Sequence, residues 1–540
     1  MSFHTSTTFG QLPEVAAIRF GSREALLFEG RRFTFEEFNH EVEHAAAGLI
    51  HSGIKAGEHV SLWLQNSADW MVLSYAIARI GAVQVPINTR FRSHDLDYVL
   101  RQSDSTTLIT HSTAAGINYL EMVRSVIALP AEGSDIVDPS FPELKRVIIL
   151  DDNAHPGTLC WKNLLNEAPD AAFKEIGERQ SHIDVEDPVL IMYTSGTTGF
   201  PKGVMHNHGL LRNVEERGYR MGVSTNDTIL NYLPMFHAFG FSEGVLMSLV
   251  MGARQIVTEG FVPDEALNII EAEGVSIIHG FEAHAKGLSD SQEANPRNLI
   301  TLRTGIFAAG MMSATPVARK AVETLKPLAP VSGFGMTELW LGVALGSLDE
   351  TTEHRTETSG YPGIGYRVRV QDLETKKLCP SGEPGELQVQ GEFLMMGYYK
   401  KPKETAEAYT EDGWFKTGDM AVWRDDGYVR FLGRYKDMLK VGGENVDPME
   451  VEGLLLSHPA IHQTAVVGYP DARLSEVAVA FVQRVPQAAL SAEEVIEFCR
   501  DKVASFKRPK HVIFVDEFPM TASGKIRKVE LRERALQALG

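Results

Sequence analysis

Cysteine is scarce: three residues in 540, Cys160, Cys379 and Cys499, lie far apart. That excludes a disulfide framework and any cysteine-based metal spacing, and it suits a reducing compartment. No membrane-length apolar run exists. The most apolar stretch, Met71 to Ile87, is interrupted by Arg79 and Gly81 and falls short of the ~20 residues a spanning helix needs. No basic-then-apolar leader opens the sequence, so the expected location is cytoplasmic. Basic residues are the minority, 52 against 71 acidic, for a net charge of −19. Nonspecific partners such as nucleic acid or an anionic membrane are therefore disfavoured. Repeats and low-complexity tracts are missing as well.

What is present is a globular composition, 44% hydrophobic, on a chain too long for one ordinary core. The charge is uneven. Residues 433–540 hold 15 basic and 15 acidic side chains, leaving 37 basic and 56 acidic in the remainder, which carries the whole −19. An anionic ligand on such a body needs local cations or a metal, and a neutral mobile segment bringing lysines over it would supply them.

The densest chemical signal is Tyr193-Thr-Ser-Gly-Thr-Thr-Gly-Phe-Pro-Lys-Gly-Val204. It follows the apolar Pro188-Val-Leu-Ile-Met192, which reads as a buried strand. Glycines let a backbone turn tightly and bring N–H groups to an anion. Hydroxyls donate to phosphate oxygens, and Lys202 adds a point charge. The loop differs from Walker A, because Phe200 and Pro201 separate Gly199 from Lys202.

Around it, residues 25–37 read as a hairpin entering a helix capped by Thr34. Helical periods then alternate with short β-branched runs, Arg146–Leu150 and Gly274–Ile278 among them. This predicts an α/β fold with parallel strands. From about Gly363 to residue 432 the texture becomes short strands with Gly/Pro turns, a β-rich subdomain. Near Gly433 strands and helices resume. The expected organisation is a large layered α/β domain over 1–432, with the β-rich part inside it, and a small mobile α+β domain over 433–540.

The Tyr193–Val204 loop resembles the signature loop of the adenylate-forming superfamily, which includes acyl-CoA synthetases, luciferases and peptide-synthetase adenylation domains. Further segments match in the same order from about Arg32 to Lys528. The resemblance implies that Thr194, Ser195, Gly196, Thr197, Thr198 and Lys202 hold the phosphates of ATP. It places Ala309, Gly310, Gly333, Phe334, Gly335 and Met336 at the adenine, Thr337 at the α-phosphate, and Glu338 with Thr198 at Mg²⁺. The family usually has tyrosine where Phe334 stands, so a hydroxyl is lost there and stacking remains. Asp419 resembles the ribose-binding acid, with Arg434 beside it. Lys525 resembles the adenylation lysine, Lys440 the lysine facing the second half-reaction, and Lys436 the hinge.

The implied activity is ATP-dependent ligation of a carboxylic acid to coenzyme A through an acyl-AMP. Thr198, His237, Lys440 and Lys525 are the residues nearest the chemistry. For the acyl group the resemblance points to His237, Phe241, Gly335, Leu339, Gly342 and Gly443. Asp is absent where amino-acid-activating relatives grip an ammonium group, and the neighbouring side chains are apolar. An apolar fatty, alicyclic or aryl monocarboxylate is the expected substrate. Glu282 and His284 stand where relatives often carry a Pro-containing segment, and they read as structural rather than as pocket wall. The alternatives are an acyl-AMP ligase serving a carrier protein or other acceptor, a light-emitting oxidative relative, and a noncatalytic nucleotide binder. Lys525 argues against the last, since binding alone does not require it. A homodimer is one assembly the chain allows. A lysine acetyltransferase acting on Lys525 is a further expected partner, by analogy with some bacterial relatives.

Overall fold

The computed structural model describes residues 6–194, 201–307, 315–441, 444–471, 473–500, 502–520 and 526–540. They fall into two compact units. The first comprises Met1–His279, Gly335–Gly342 and Phe393–Glu407; the second takes Gly280–Phe334, Val343–Glu392 and Ala408–Gly540.

Among the described residues the first unit holds the short pair Thr113–Ala114 with Ile117–Asn118 and two large sheets. One runs Gly397–Tyr398, Lys202–Asn207, Pro188–Thr194, Val83–Pro86, His59–Trp63, Ser105–Thr110, Arg146–Ile149, Leu159–Cys160. Strand pairs are parallel from Pro188–Thr194 onward and antiparallel at the other end. Val189 to Met192 are all buried, the uninterrupted apolar run of a strand covered on both faces. The other sheet orders Ile277–Ile278, Thr228–Asn231, Arg254–Val257, Glu24–Phe28 and Arg31–Thr34. The expected hairpin is its edge, and Thr34 Oγ1 accepts the Glu37 N–H at 3.1 Å to start the helix Phe35–His51. The apolar stretch at Met71 is the buried helix Ala68–Arg79, and no helix among the described residues is long and apolar enough to cross a membrane.

In the second unit, Tyr366–Gln371, Pro384–Gly391, Phe415–Trp423 and Val429–Arg434 form an antiparallel sheet, the β-rich texture read at 363–432. Within that range Phe393–Glu407 groups with the first unit. The C-terminal sheet pairs Ile461–Asp471 with Ser475–Arg484, flanked by Leu439–Val441 and His511–Phe514. Its side chains alternate faces as strand geometry requires. Val466, Ala478, Ala480 and Val482 fill one core; Ala465, Val467, Val479 and Phe481 fill the other, with Phe518 and Leu531.

Candidate active site

The strands Pro188–Thr194 and Lys202–Asn207 pair antiparallel, with Thr194 opposite Lys202, so they deliver both ends of the hydroxyl-rich loop to one sheet end. Ser195, Gly196, Thr197 and Thr198 lie outside the described residues. The ends of the loop are anchored: Tyr98 Oη donates to the Pro201 carbonyl at 2.8 Å, and the Tyr193 hydroxyl donates to Gln102. Burial raises the Tyr193 pKa and keeps it protonated. Lys202 sends its ammonium over the Tyr398 ring, 4.5 Å from the centroid. The Tyr398 hydroxyl donates to Glu338 Oε1 at 3.0 Å. Tyr398 therefore joins a cation and a buried carboxylate, and sequence reading missed it. Its only sequence signal is a Gly-Tyr-Tyr run about sixty residues beyond Glu338.

Among the described residues no group of three or more His, Cys, Asp or Glu forms a metal cage. A single hard carboxylate such as Glu338 still fits Mg²⁺, which takes one or two protein carboxylates and leaves the rest to phosphates and water. Glu338 is fixed through its main chain too, its carbonyl accepting the Met395 N–H at 2.8 Å.

Thr337 and Glu338 stand on the short turn Thr337–Leu339. His206, on the strand that begins at Lys202, donates from Nε2 to the Thr337 carbonyl at 2.7 Å. Burial lowers its pKa to about 4, so the ring is neutral. The turn is strained: Trp340 and Leu341 follow at φ 46° and 63°, the left-handed region that side-chain-bearing residues seldom enter. Met336 receives the Leu339 and Leu341 N–H groups on its carbonyl. A Cβ at Gly335 would collide with the Leu341 carbonyl, so only glycine fits.

The acyl candidates in this unit are fixed in different ways. His237 is half-buried and its Nδ1 accepts the Phe239 N–H at 3.3 Å, capping the turn Ala238–Gly240. Phe241 and Leu339 are fully buried. The Phe241 ring meets Trp70 at 5.4 Å and Trp340 at 6.0 Å. Phe241 opens a π-helix, Phe241–Leu246, a distortion frequent at functional sites.

The second unit carries its own cluster. Asp419 and Arg434 are register partners on neighbouring strands, joined Nε to Oδ1 at 2.8 Å. Asp419 is buried and Arg434 40% exposed at its side chain. The register shifts just after, between Met420 and Ala421, a bulge of the kind that re-aims side chains beside active sites. Phe334 packs on Phe431 with centroids 5.5 Å apart and planes 32° from parallel; Gly333 pairs with Leu345. Lys440 is exposed on Leu439–Val441, its N–H bound to Glu476 Oε2 at 2.8 Å. Lys436 lies in the turn Tyr435–Asp437. His284 Nδ1 accepts the Phe281 N–H at 3.1 Å at the start of its helix. Glu282 is raised to about 8 by burial and then by Glu452. Ala309, Gly310, Gly443 and Lys525 lie outside the described residues.

A layered α/β body with a hydroxyl-and-lysine loop, a buried single carboxylate and an Asp–Arg pair is the equipment of a nucleotide-using ligase. The chain belongs to the AMP-binding enzyme family: that family's model matches residues 13–399, and the AMP-binding enzyme C-terminal domain matches 450–525. It is an AMP-forming acyl-CoA synthetase of the adenylate-forming type, using ATP, Mg²⁺ and coenzyme A. It is 35% identical to the putative acyl-CoA synthetase YngI of Bacillus subtilis (strain 168), across 98% of this chain and 97% of that one. It is 30% identical to the mitochondrial medium-chain acyl-CoA ligase ACSF2 of Homo sapiens, across 98% and 88%. The crystal structure of the anthranilate CoA ligase AuaEII in complex with anthranoyl-AMP superposes with a TM-score of 0.87 at 26% identity, covering 99% of this chain and 98% of that one.

Proposed function

We propose that the chain ligates an apolar monocarboxylate to coenzyme A in two steps, through an acyl-AMP. The observation that carries this reading is the convergence of Lys202 and Glu338 on Tyr398, next to the hydroxyl-rich loop. A cation and a hard carboxylate held on one ring suit a triphosphate and its metal. Relatives named medium-chain acyl-CoA ligases support a fatty acid of medium length. The buried apolar Phe241, Leu339 and Trp340 agree with an apolar tail; alicyclic and aryl acids belong to the same chemical class.

The roles follow. The loop residues Thr194 to Thr198 and Lys202 hold the phosphates. Glu338 and Thr198 hold Mg²⁺, which neutralises phosphate charge when bound. Thr337 contacts the α-phosphate. Gly333 to Met336, with Ala309 and Gly310, face adenine. Asp419, ordered by Arg434, accepts the ribose hydroxyls. His237, Phe241, Gly335, Leu339 and Gly342 line the acyl group. The substrate carboxylate attacks the α-phosphorus and pyrophosphate leaves, with Lys525 countering charge that builds on the oxygens. The segment 433–540 then rotates about Lys436 and presents Lys440 and Gly443. The thiol attacks the acyl carbonyl and AMP departs. One cleft that first holds pyrophosphate and later admits a thiol needs such a hinge.

All three cysteines are unpaired, which supports a cytoplasmic setting. Acetylation of Lys525 by a lysine acetyltransferase would remove its charge and stop the first step, and the assembly is proposed as a homodimer.

The test is pyrophosphate release and thioester formation across fatty, alicyclic and aryl acids, with and without CoA. CoA-dependent thioester from apolar acids is expected, and release indifferent to CoA would point to a carrier protein instead. Lys525→Ala should abolish acyl-AMP formation yet still convert supplied acyl-AMP and CoA to thioester. Near wild-type adenylation by that variant would remove Lys525 from its role.

A further inference from the structure

Arg217 and Glu243 form an ion pair in the first unit, Nη2 to Oε1 at 2.6 Å and Nε to Oε1 at 2.8 Å, each side chain 1% exposed. Arg217 belongs to the helix Leu210–Arg220 and Glu243 to the π-helix. The guanidinium also donates to Asn213 Oδ1 and Ser242 Oγ. Glu243 Oε2 and Asn213 Nδ2 have no hydrogen-bond partner among the described residues. A buried pair of this kind contributes little net stability, and apolar residues of equal volume often replace it without loss. Packing alone therefore does not account for it.

Its location does. Gly342, at the end of the strained segment, sits directly on Arg217: a Cβ there would come within 2.5 Å of Nη1 and 2.6 Å of Cδ. Asn231, which opens the segment leading to His237, donates from Nδ2 to the Gly240 carbonyl at 3.2 Å and fills the space beside Gly244 in the π-helix. Phe241, at the start of that helix, packs on Trp340. His279, whose ring meets Phe239 at 6.0 Å, is lowered to about 3 by burial and by the Arg217 charge. The segments assigned to the acyl group thus end on one charged, buried cluster.

We propose that the Arg217–Glu243 cluster is the far wall of the acyl pocket and sets the longest apolar tail the enzyme accepts. This rests on the ligase reading above. A tail that reached past Gly342 would have to displace the guanidinium from Glu243, Asn213 and Ser242. Breaking a buried pair is strongly unfavourable, because the charge left behind has neither partner nor water. Short of that point the side chains assigned to the tail are His237, Phe241 and Leu339.

The test is the full-length Arg217→Met/Glu243→Met double variant, which keeps volume while removing both charges. Thioester formation is measured on straight-chain acids from butanoate to octadecanoate, reading the ratio of kcat/KM for long over short acids. That ratio should rise by about tenfold or more, since one methylene in an apolar pocket already discriminates on this scale. An unchanged ratio in a folded double variant overturns the proposal. If the double variant does not fold, Ser242→Ala decides: it removes one acceptor of the guanidinium without adding volume, so the ratio should rise, and an unmoved ratio overturns the wall. Wild-type turnover with unmoved ratios sinks this inference alone. No thioester from any acid by the wild type would sink the ligase reading and this inference together.

Discussion

Tyr398 shows how much of the proposed phosphate-side site rests on one side chain. Its ring lies under Lys202 and its hydroxyl holds Glu338. The two contacts separate by substitution. Tyr398→Phe keeps the ring and deletes the hydroxyl, and a hydrogen bond to a charged acceptor is worth about 1.5–3 kcal/mol. The expected outcome is a KM for Mg-ATP raised roughly tenfold, read by pyrophosphate release, with the fold retained. A KM within about twofold of wild type would show that Glu338 is held without Tyr398. The contrast with Lys202 bears on legibility. Lys202, Thr337, Glu338 and Asp419 lie in compact runs whose local chemistry a sequence displays. Tyr398 and His206 act only through partners far along the chain, which no local pattern reveals.

At the scale of elements, the strained segment Gly335–Gly342 is held at several points. His206 ties it from the neighbouring strand, Tyr398 ties Glu338, and Trp340 and Leu341 take left-handed backbone. Gly335→Ala places a Cβ on the Leu341 carbonyl, so the turn carrying Thr337 and Glu338 must open. Adenylation should fall by about a hundredfold or more, because misplacement of about 1 Å near reacting atoms has effects of that order. Circular dichroism should still report the sheets, which do not depend on this turn. Retained activity would mean the turn reorganises without loss. The parallel strands, the Thr34 hairpin and the β-rich sheet were legible from periodicity and turn residues, because each is a local pattern. The π-helix was not, since the contacts on and beside Phe241–Leu246, Asn231 at the Gly240 carbonyl and Arg217 at Glu243, come from other elements and leave no local pattern. Nor was the grouping of Phe393–Glu407 with the first unit, because a strand as short as Gly397–Tyr398 carries no period to read.

The whole molecule is governed by buried titratable groups of opposite tendency. Burial lowers His206, His208 and His284 to about 4 and His279 to about 3. An unfolded histidine titrates near 6.5, so the unfolded chain binds more protons between about pH 4 and 6.5, and stability is lost as pH falls through that window. Glu282 and Asp447 behave oppositely. Burial, with Glu452 adding to it, raises them to about 8 and about 7. Their folded forms hold protons that the unfolded chain has released, so stability is lost as pH rises towards 7 to 8. His462 is lowered and Glu452 raised by burial as well, so five histidines oppose three carboxyls below pH 6.5, leaving a net dependence of about two protons in favour of higher pH. Above 6.5 only the carboxyls act, and the sign reverses. The melting temperature should therefore peak near pH 6.5, fall steeply on the acid side and decline gently towards pH 8. Glu282→Gln should flatten the alkaline decline and steepen the acid limb, because one of the carboxyls opposing the histidines is removed. Scanning calorimetry at constant ionic strength measures both, and a melting temperature still rising at pH 8 would show that these carboxyls are ionised in the folded chain.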